Sequence, residues 1–303
     1  MKKILLLLLF LILRASAPAW SCDACGCANS GSYFGLMPQS HKSMLGVRYS
    51  LLNFETHPGS EYFHTKETFQ VTELYARFYP VKRVQAMVFL PYRSDRQITP
   101  AETKRQHGLG DATLLLNYNL LNTFMDSDKN HHFNHSLQLG GGIKVPTGRF
   151  HYDENNPLAV ANANFQPGTG STDFILNAFY TLNAGKWGTF LTLSQKLNTT
   201  NVRGYRFGNQ TYGSADVFRT FTKGTLSIMP HLGLYVEHSA FGTQDGRTVR
   251  ESGGDLLNGT AGVSLFANRW TAGISVQNPL AQNLSSGEVV SKARGMVQVA
   301  WLF

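Results

Sequence analysis

The feature that most constrains the fold is an alternation of apolar and polar residues, which recurs in segments of roughly ten residues. In residues 112–120 every even position is apolar and most odd positions are polar. In residues 293–301 every odd position is apolar or glycine, and Arg294 and Gln298 lie between them. A period of two residues is typical of a β-strand with one apolar face. Because no segment shows the 3.6-residue stripe of an amphipathic helix, the sequence predicts an all-β fold.

Composition narrows the class of all-β protein. The chain has 303 residues, of which 12% are aromatic and 15% are charged, and this excludes a disordered chain. Three cysteines cannot make a disulfide framework for a chain of this size. Beyond the N-terminus no apolar run reaches the ~20 residues that a transmembrane helix needs. The mean hydropathy of −0.18 is compatible with a transmembrane β-barrel, because alternate residues of each strand face lipid and lumen.

The alternation predicts twelve strands, with turn residues between them and prolines near the ends of three: Pro91, Pro146 and Pro279. The predicted strands are 43–55, 68–80, 84–94, 109–121, 133–147, 171–182, 187–197, 211–221, 225–238, 254–266, 270–279 and 291–303. Their connections alternate between short and long. The short connections are 80–83, 183–186, 222–224 and 267–269. The connection 121–132 is longer but lies on the same rim as these four. The long connections on the other rim are 56–67, 95–108, 148–170, 198–210, 239–253 and 280–290. We therefore expect an antiparallel transmembrane barrel of about 12 strands, of the bacterial outer-membrane type, with the N-terminus and the short turns periplasmic.

The N-terminus has the pattern of an export signal. Lys2 and Lys3 precede the leucine-rich residues 4–13, and small residues follow at 15–19. These features predict a signal peptide over 1–21, a Cys-containing periplasmic arm or partial plug over 22–42, and a barrel over 43–303. The signal contributes three of the eight net positive charges, so the mature chain is only mildly basic and we expect no nucleic-acid partner.

Aromatic residues gather near the short turns, as in the interfacial girdle of an outer-membrane barrel. They are Phe78, Tyr79, Tyr118, Tyr180, Trp187, Phe221, Phe266, Trp270 and Trp301. The final predicted strand ends in Phe303 and resembles the signal that the barrel assembly machinery reads. The expected partners are therefore outer-membrane lipid, this machinery and a small-molecule solute.

Three motifs carry a family resemblance. Residues 108–111 (Gly-Leu-Gly-Asp), 140–148 (Gly-Gly-Gly-Ile-Lys-Val-Pro-Thr-Gly) and 168–173 (Gly-Thr-Gly-Ser-Thr-Asp) resemble the outer-membrane barrel family named after the meta-cleavage pathway of phenol degradation. The Cys-rich start, with residues 33–38 and 45–49, is similar to exported members from Bacteroidetes that are labelled transporters. The resemblance implies a barrel related to channels for hydrophobic compounds, and it supplies no catalytic residues.

Charged residues on the polar face of the strands are the candidate solute-contacting groups. The alternation directs inward the cations Arg48, Arg77, Arg93, Lys144, Lys196, Lys292 and Arg294, and the acids Glu73, Asp111, Asp173 and Glu237. A basic excess favours anions. Alternatively these side chains pair and fill the lumen, because twelve strands enclose less width than the 16–18 of porins. We expect a channel or transporter for a small solute, either hydrophobic and aromatic or anionic.

All three cysteines lie within six residues, at Cys22, Cys25 and Cys27. One interpretation is a soft-metal site for Cu(I) or Zn(II), which His131, His132 and His135 in the presumed periplasmic turn would complete. The others are a disulfide or a lipidated Cys22 in an oxidising compartment, with no resident cofactor. The metal interpretation, or docking of a periplasmic partner, would make the protein an accessory factor.

An enzyme is the remaining alternative, because some barrels of this size are phospholipases with a Ser/His pair. His135 and Ser136 are adjacent and point to opposite faces of one strand. His231 and Ser227 share a face, but the sequence offers no third member that would orient them. The favoured prediction is a protein that is not an enzyme.

Overall fold

The structure, a computed structural model, describes residues 42–58, 65–100, 102–125, 133–150, 165–250 and 252–303. The predicted signal peptide and all but the last residue of the predicted arm lie outside these ranges. The strands are β1 (Met44–Thr56), β2 (Lys66–Val81), β3 (Val84–Ile98), β4 (Thr103–Leu109), β5 (Ala112–Asn122), β6 (Phe133–Val145), β7 (Asp173–Ala184), β8 (Trp187–Leu197), β9 (Tyr205–Arg206), β10 (Gln210–Arg219), β11 (Phe221–Lys223), β12 (Leu226–Ser239), β13 (Gly242–Gln244), β14 (Arg247–Val249), β15 (Gly254–Ala267), β16 (Trp270–Leu284), β17 (Val289–Ser291) and β18 (Arg294–Leu302).

Fifteen of these strands form one antiparallel sheet that closes on itself. Each strand pairs with its neighbour in the chain, and β18 pairs with β1, so that Met44 lies opposite Leu302 and Leu51 opposite Gly295. Three positions in the wall are each occupied by two consecutive strands, namely β4 with β5, β10 with β11, and β17 with β18. The result is the predicted closed antiparallel barrel of twelve strands.

The two faces of the wall differ as the alternation predicts. On β1, Leu45 and Val47 are exposed on the outer face, whereas Arg48 faces the lumen and is only 3% exposed. The same contrast recurs around the barrel, with leucine, valine, isoleucine and aromatic side chains outside and many amide, hydroxyl and charged side chains inside. This is the arrangement that a barrel with a lipid-facing outside and a polar lumen requires.

Several strands extend further than predicted or lie in predicted long connections, among them the two strands predicted to end at 94 and 279. β3 continues past Pro91 to Ile98 and pairs with β4, and β16 continues past Pro279 to Leu284. Proline is tolerated at both places because the ladder is locally irregular. Opposite Pro91 the wall passes from β4 to β5 through Gly110, and beside Pro279 the register of β15 and β16 shifts between Leu257 and Asn258.

The two rims differ in the length of their connections. One rim carries the tight turns after β2, β7, β11 and β15, and the other carries the long connections. From the long connections β9, β13 and β14 form a separate three-stranded sheet. Within the described residues, no helix is long and apolar enough to cross a membrane.

Candidate functional site in the lumen

The lumen contains a balanced set of buried charges. Among the described residues, six cations and six acids are buried: Arg48, Arg77, Arg93, Lys144, Lys196 and Arg294, with Glu73, Asp95, Asp111, Asp173, Asp216 and Glu237. Ten of the eleven charges that the alternation directs inward are in this set. Asp95 and Asp216 are additional, and they remove the basic excess that favoured anions.

Lys292 is the one predicted inward cation that lies elsewhere. It is exposed, and its Nζ is 3.2 Å from Oε2 of Glu55 on the outer surface. The prediction was wrong because residues 292–293 interrupt the ladder between β17 and β18, so the alternation does not run continuously through Lys292.

Several of the buried charges are held in ion pairs. Arg48 and Glu73 lie directly opposite each other on β1 and β2 and form a salt bridge. Arg93 Nη2 is 2.6 Å from Asp95 Oδ2. Pairing and hydrogen bonding are what make a buried charge tolerable in a medium of low dielectric constant.

One ion pair joins strands that are not neighbours in the wall. Arg294 is on β18 and Glu237 is on β12, and two wall strands, β15 and β16, lie between them. Their Nη1 and Oε2 atoms are nevertheless 3.8 Å apart. The two side chains therefore reach each other through the lumen across three strand steps of the twelve-strand wall.

Arg77 and Lys196 are buried at different levels of the wall. Arg77 Nη2 donates to the carbonyl of Lys42, 3.4 Å away, near the rim of tight turns, and its guanidinium lies over the ring of Tyr79. Lys196 is on β8, opposite Gln210 on β10. Between the charged levels the lumen carries amides, and Asn117 connects Gln85 on β3 with Asn177 on β7 by hydrogen bonds.

A polar cluster around Asp111 fixes part of a long connection inside the barrel mouth. Asp111 Oδ1 accepts a hydrogen bond from the backbone amide of Gly148 at 3.0 Å, and Oδ2 accepts from the backbone amide of Thr169 at 2.8 Å. The hydroxyl of Thr169 also donates to Oδ2, at 2.7 Å. Lys144 Nζ is 2.9 Å from Asp111 Oδ2 and 2.6 Å from Asp173 Oδ2.

Asp173 extends the same cluster to the next connection. Its Oδ1 accepts from the Ser171 hydroxyl and from the backbone amide of Thr199, both at 2.9 Å. Asn201 Nδ2 donates to the carbonyl of Thr169 at 2.9 Å. Two carboxylates and one ammonium thus hold three separate pieces of loop backbone.

We call residues 165–171 the mouth segment. Phe165 is buried and packs against Phe69 with ring centroids 6.4 Å apart. The next carbonyl, that of Gln166, accepts a hydrogen bond from Arg93 Nη1 at 2.8 Å. Side chains from β1, β2, β15 and β16 complete the apolar cluster around Phe165: Leu52, Phe54, Phe69, Leu256 and Leu284. The mouth segment therefore lies within the ring of strands and narrows the opening.

The sequence indicated the motifs of this cluster but not their connection. Residues 148–170 were predicted to be a long polar loop, and Asp111, Lys144 and Asp173 to be separate lumen charges. The available signal was glycine in two of the motifs, Gly148 and Gly168. A Cβ on Gly168 would lie 2.5 Å from the carbonyl carbon of Gly148, so the two backbones can pass only because both residues are glycine.

The predicted metal ligands are not brought together among the described residues. Cys22, Cys25, Cys27, His131 and His132 lie outside them. His135 is on β6, and its Nδ1 is 2.7 Å from the hydroxyl of Tyr180. In the part of the chain that the structure describes, no group of three or more His, Cys, Asp or Glu side chains has a metal-binding arrangement.

For the enzyme alternative, the structure adds a carboxylate beside the histidine of the predicted Ser/His pair, but the serine does not contact that histidine. His231 Nδ1 is 3.3 Å from Asp216 Oδ1, which supplies the partner that the sequence did not identify. Ser227 lies four residues along β12, roughly 13 Å away at the usual strand rise. Its hydroxyl is 2.9 Å from that of Thr222 instead. These three side chains therefore do not form a nucleophile–base–acid array.

Comparison with solved structures identifies the class of fold. A crystal structure of an outer membrane channel from Pseudomonas putida F1 is similar, with a TM-score of 0.64 and 15% identity over 89% of this chain and 100% of that one. The transport unit of the autotransporter AIDA-I from Escherichia coli matches with a TM-score of 0.48 and 10% identity, over 91% of this chain and 95% of that one. No family model and no curated protein matches the chain. The fold is thus that of outer-membrane β-barrels, and the resemblance to the phenol-pathway family stays an interpretation of the sequence motifs.

Proposed function

We propose that the protein is an outer-membrane channel for a small solute. The observation that carries this proposal is the closed barrel with an apolar outside and a lumen lined by paired charges and amides. Such a wall satisfies its own backbone hydrogen bonds, exposes side chains that lipid accepts, and surrounds a polar path. The proposed orientation has the tight turns and the N-terminal arm in the periplasm and the long connections outside the cell.

The charge balance in the lumen bears on the solute. With six buried cations and six buried acids among the described residues, the lumen offers no net charge that would lower the barrier for anions. The mouth segment limits the width of the opening, and the pair between Arg294 and Glu237 occupies part of the lumen. We therefore propose a small solute without net charge, and the sequence resemblance makes aromatic compounds the first class to test.

Reconstitution tests the channel. The purified mature protein is expected to give a small but definite single-channel conductance in planar bilayers, and liposomes that contain it should take up phenol or benzyl alcohol faster than empty liposomes. Benzoate, which has a similar size and a full negative charge, is the matched comparison and is expected to enter more slowly. Absence of both conductance and solute uptake would reject the channel.

A second candidate function rests on the cluster of three cysteines at 22–27. In this proposal the arm binds Cu(I) or Zn(II), or docks a periplasmic protein, and the barrel serves as its membrane anchor. Titration of the reduced, purified protein with Zn(II), with Cys25→Ser as the control, is expected to show one ion per chain that the variant does not retain. Equal binding by both proteins would reject the metal site.

A further inference from the structure

The four tight turns carry cations and no acids. Each tight turn, with its flanking strand ends, contains one or two basic residues: Lys82 and Arg83 after β2, Lys186 after β7, Arg219 and Lys223 around β11, and Arg269 after β15. The longer connection between β5 and β6 on the same rim is not one of these turns, and its sequence includes Asp126 and Asp128. All six side chains are exposed. None of them forms an ion pair with an acid in the part of the chain that the structure describes.

On the opposite rim, three cations in the described part of the chain have acidic partners. Lys66 Nζ is 3.7 Å from Glu55 Oε1, and Lys292 Nζ is 3.2 Å from Glu55 Oε2. Lys104 Nζ is 2.9 Å from Glu102 Oε1. Other exposed cations of that rim, such as Arg203 and Arg247, form no ion pair with an acid among the described residues, so what distinguishes the tight turns is that they contain no acids.

Three of these cations belong to two neighbouring turns. Arg219 lies directly opposite Trp187 at the ends of β10 and β8, and Lys186 immediately precedes Trp187. The backbone amide of Thr220 donates to the carbonyl of Lys186 at 2.8 Å, which fixes the two turns against each other. Arg219 and Lys223 lie an even number of residues apart along the same strand edge and therefore share a face. We call Lys186, Arg219 and Lys223 the basic rim cluster.

Two exposed aromatic rings hold the central guanidinium. The Cζ atom of Arg219 is 5.2 Å from the ring centroid of Trp187 and 4.9 Å from that of Phe221. Both rings face outward and are about half exposed, Trp187 at 53% and Phe221 at 47%. Tryptophan on the outside of a barrel marks the membrane interface, where lipid headgroups begin. Arg219 is thus held at headgroup depth. Lys186 precedes the residue opposite it, and Lys223 lies four residues further along the same edge, roughly 13 Å away.

From this arrangement we infer that the basic rim cluster binds the phosphate of an anionic phospholipid in the leaflet next to the tight turns. A guanidinium forms two parallel hydrogen bonds with phosphate oxygens, and its stacked position leaves its edge available for them. The rings contact the glycerol and upper acyl region of the same lipid. The inference rests on the membrane location in the proposed function, but it requires neither an open lumen nor a particular solute.

Lipid binding to the full-length mature protein tests this inference. Native mass spectrometry of the protein in a neutral detergent, with equal amounts of phosphatidylglycerol and phosphatidylcholine, is expected to show phosphatidylglycerol enriched by at least about fivefold, the usual effect of a single Lys or Arg near an anionic surface. The triple variant Lys186→Gln, Arg219→Gln and Lys223→Gln should bind both lipids alike. Arg219→Lys, which keeps the charge without the planar fork, should retain part of the preference.

The matched control removes the same number and type of cations from the other rim, as Lys66→Gln, Lys104→Gln and Arg247→Gln. It is expected to keep the preference for phosphatidylglycerol. Loss of preference in this control to the same degree, or equal binding of both lipids by the native protein, would overturn the inference. Binding of an acidic peptide that the native protein shows and the triple variant lacks, without any lipid preference, would assign the cluster to a protein partner instead. Conductance of the same samples, measured separately, reports on the channel proposal independently.

Discussion

Asp111 is the residue whose contacts most directly control the opening of the lumen. One carboxylate accepts from two backbone amides, at Gly148 and Thr169, and also pairs with Lys144. A carboxylate with these partners organises backbone that would otherwise face solvent, and removing it leaves donors without an acceptor inside the barrel. The residue therefore links a loop that lies far away in the sequence to the wall.

Asp111→Asn is expected to loosen the mouth segment. The amide keeps one acceptor oxygen but loses the charge that pairs with Lys144, and disrupting a buried pair of this kind costs about 3 kcal/mol. Urea unfolding of the protein in liposomes should show the loss of stability, and the single-channel conductance should increase about twofold as the segment leaves the mouth. Asp255→Asn is the control, because Asp255 is exposed on the same rim and pairs with His238. Equal conductance in the Asp111 variant and the native protein would contradict the assignment.

Gly168→Ala should have a similar effect for a steric reason. The added methyl group would lie 2.5 Å from the Gly148 carbonyl carbon, so one of the two backbones has to move. Gly295→Ala is the matched comparison, since a methyl group there meets nothing within 4 Å. We expect larger conductance and easier proteolysis between residues 148 and 168 in the first variant and native behaviour in the second. If both variants behave alike, the close approach of these backbones has no role in holding the segment.

At the scale of elements, the mouth segment is a connection of the described chain that narrows the opening of the barrel. It is held by Phe165 in the apolar cluster at one end and by the Asp111 cluster at the other. Phe165→Ala removes the apolar contact alone. Because Phe165 belongs to a connection and the wall pairings do not involve it, we expect conductance to rise while the thermal stability of the barrel stays close to native. A large fall in barrel stability would show that Phe165 is needed by the wall itself.

The elements themselves followed from the sequence to a large extent. The period of two predicted the strands and the directions of the side chains, because a barrel has to satisfy lipid on one face and polar groups on the other all along each strand. The two-residue period could not predict the path of the chain in the connections between strands. Asp95 was missed because the third strand was predicted to end at residue 94, one residue before it. The position of Phe165 was missed because a loop residue has no periodic neighbour that fixes its direction.

At the scale of the whole molecule, the equality of buried cations and acids should set the ion selectivity. Glu237→Gln leaves the lumen one acid short, so the reversal potential in a KCl gradient should shift toward chloride. Arg294→Gln removes the partner of Glu237 in the lumen and should shift the potential toward potassium. Shifts of the same sign in both variants would show that lumen charge does not govern permeation.

The pairing of β1 with β18 has a consequence for how the barrel is made. Every other wall contact joins strands that are close in sequence, whereas this one joins the two ends of the sheet. Without this pairing the wall is an open sheet with two unpaired edges, each able to recruit another chain. Pairing β1 with β18 also costs the conformational entropy of closing a loop that contains nearly the entire sheet. The pairing of β1 with β18 therefore distinguishes an aggregation-prone open sheet from the closed barrel. A chain shortened within β18 should form its other hairpins but fail to close the barrel.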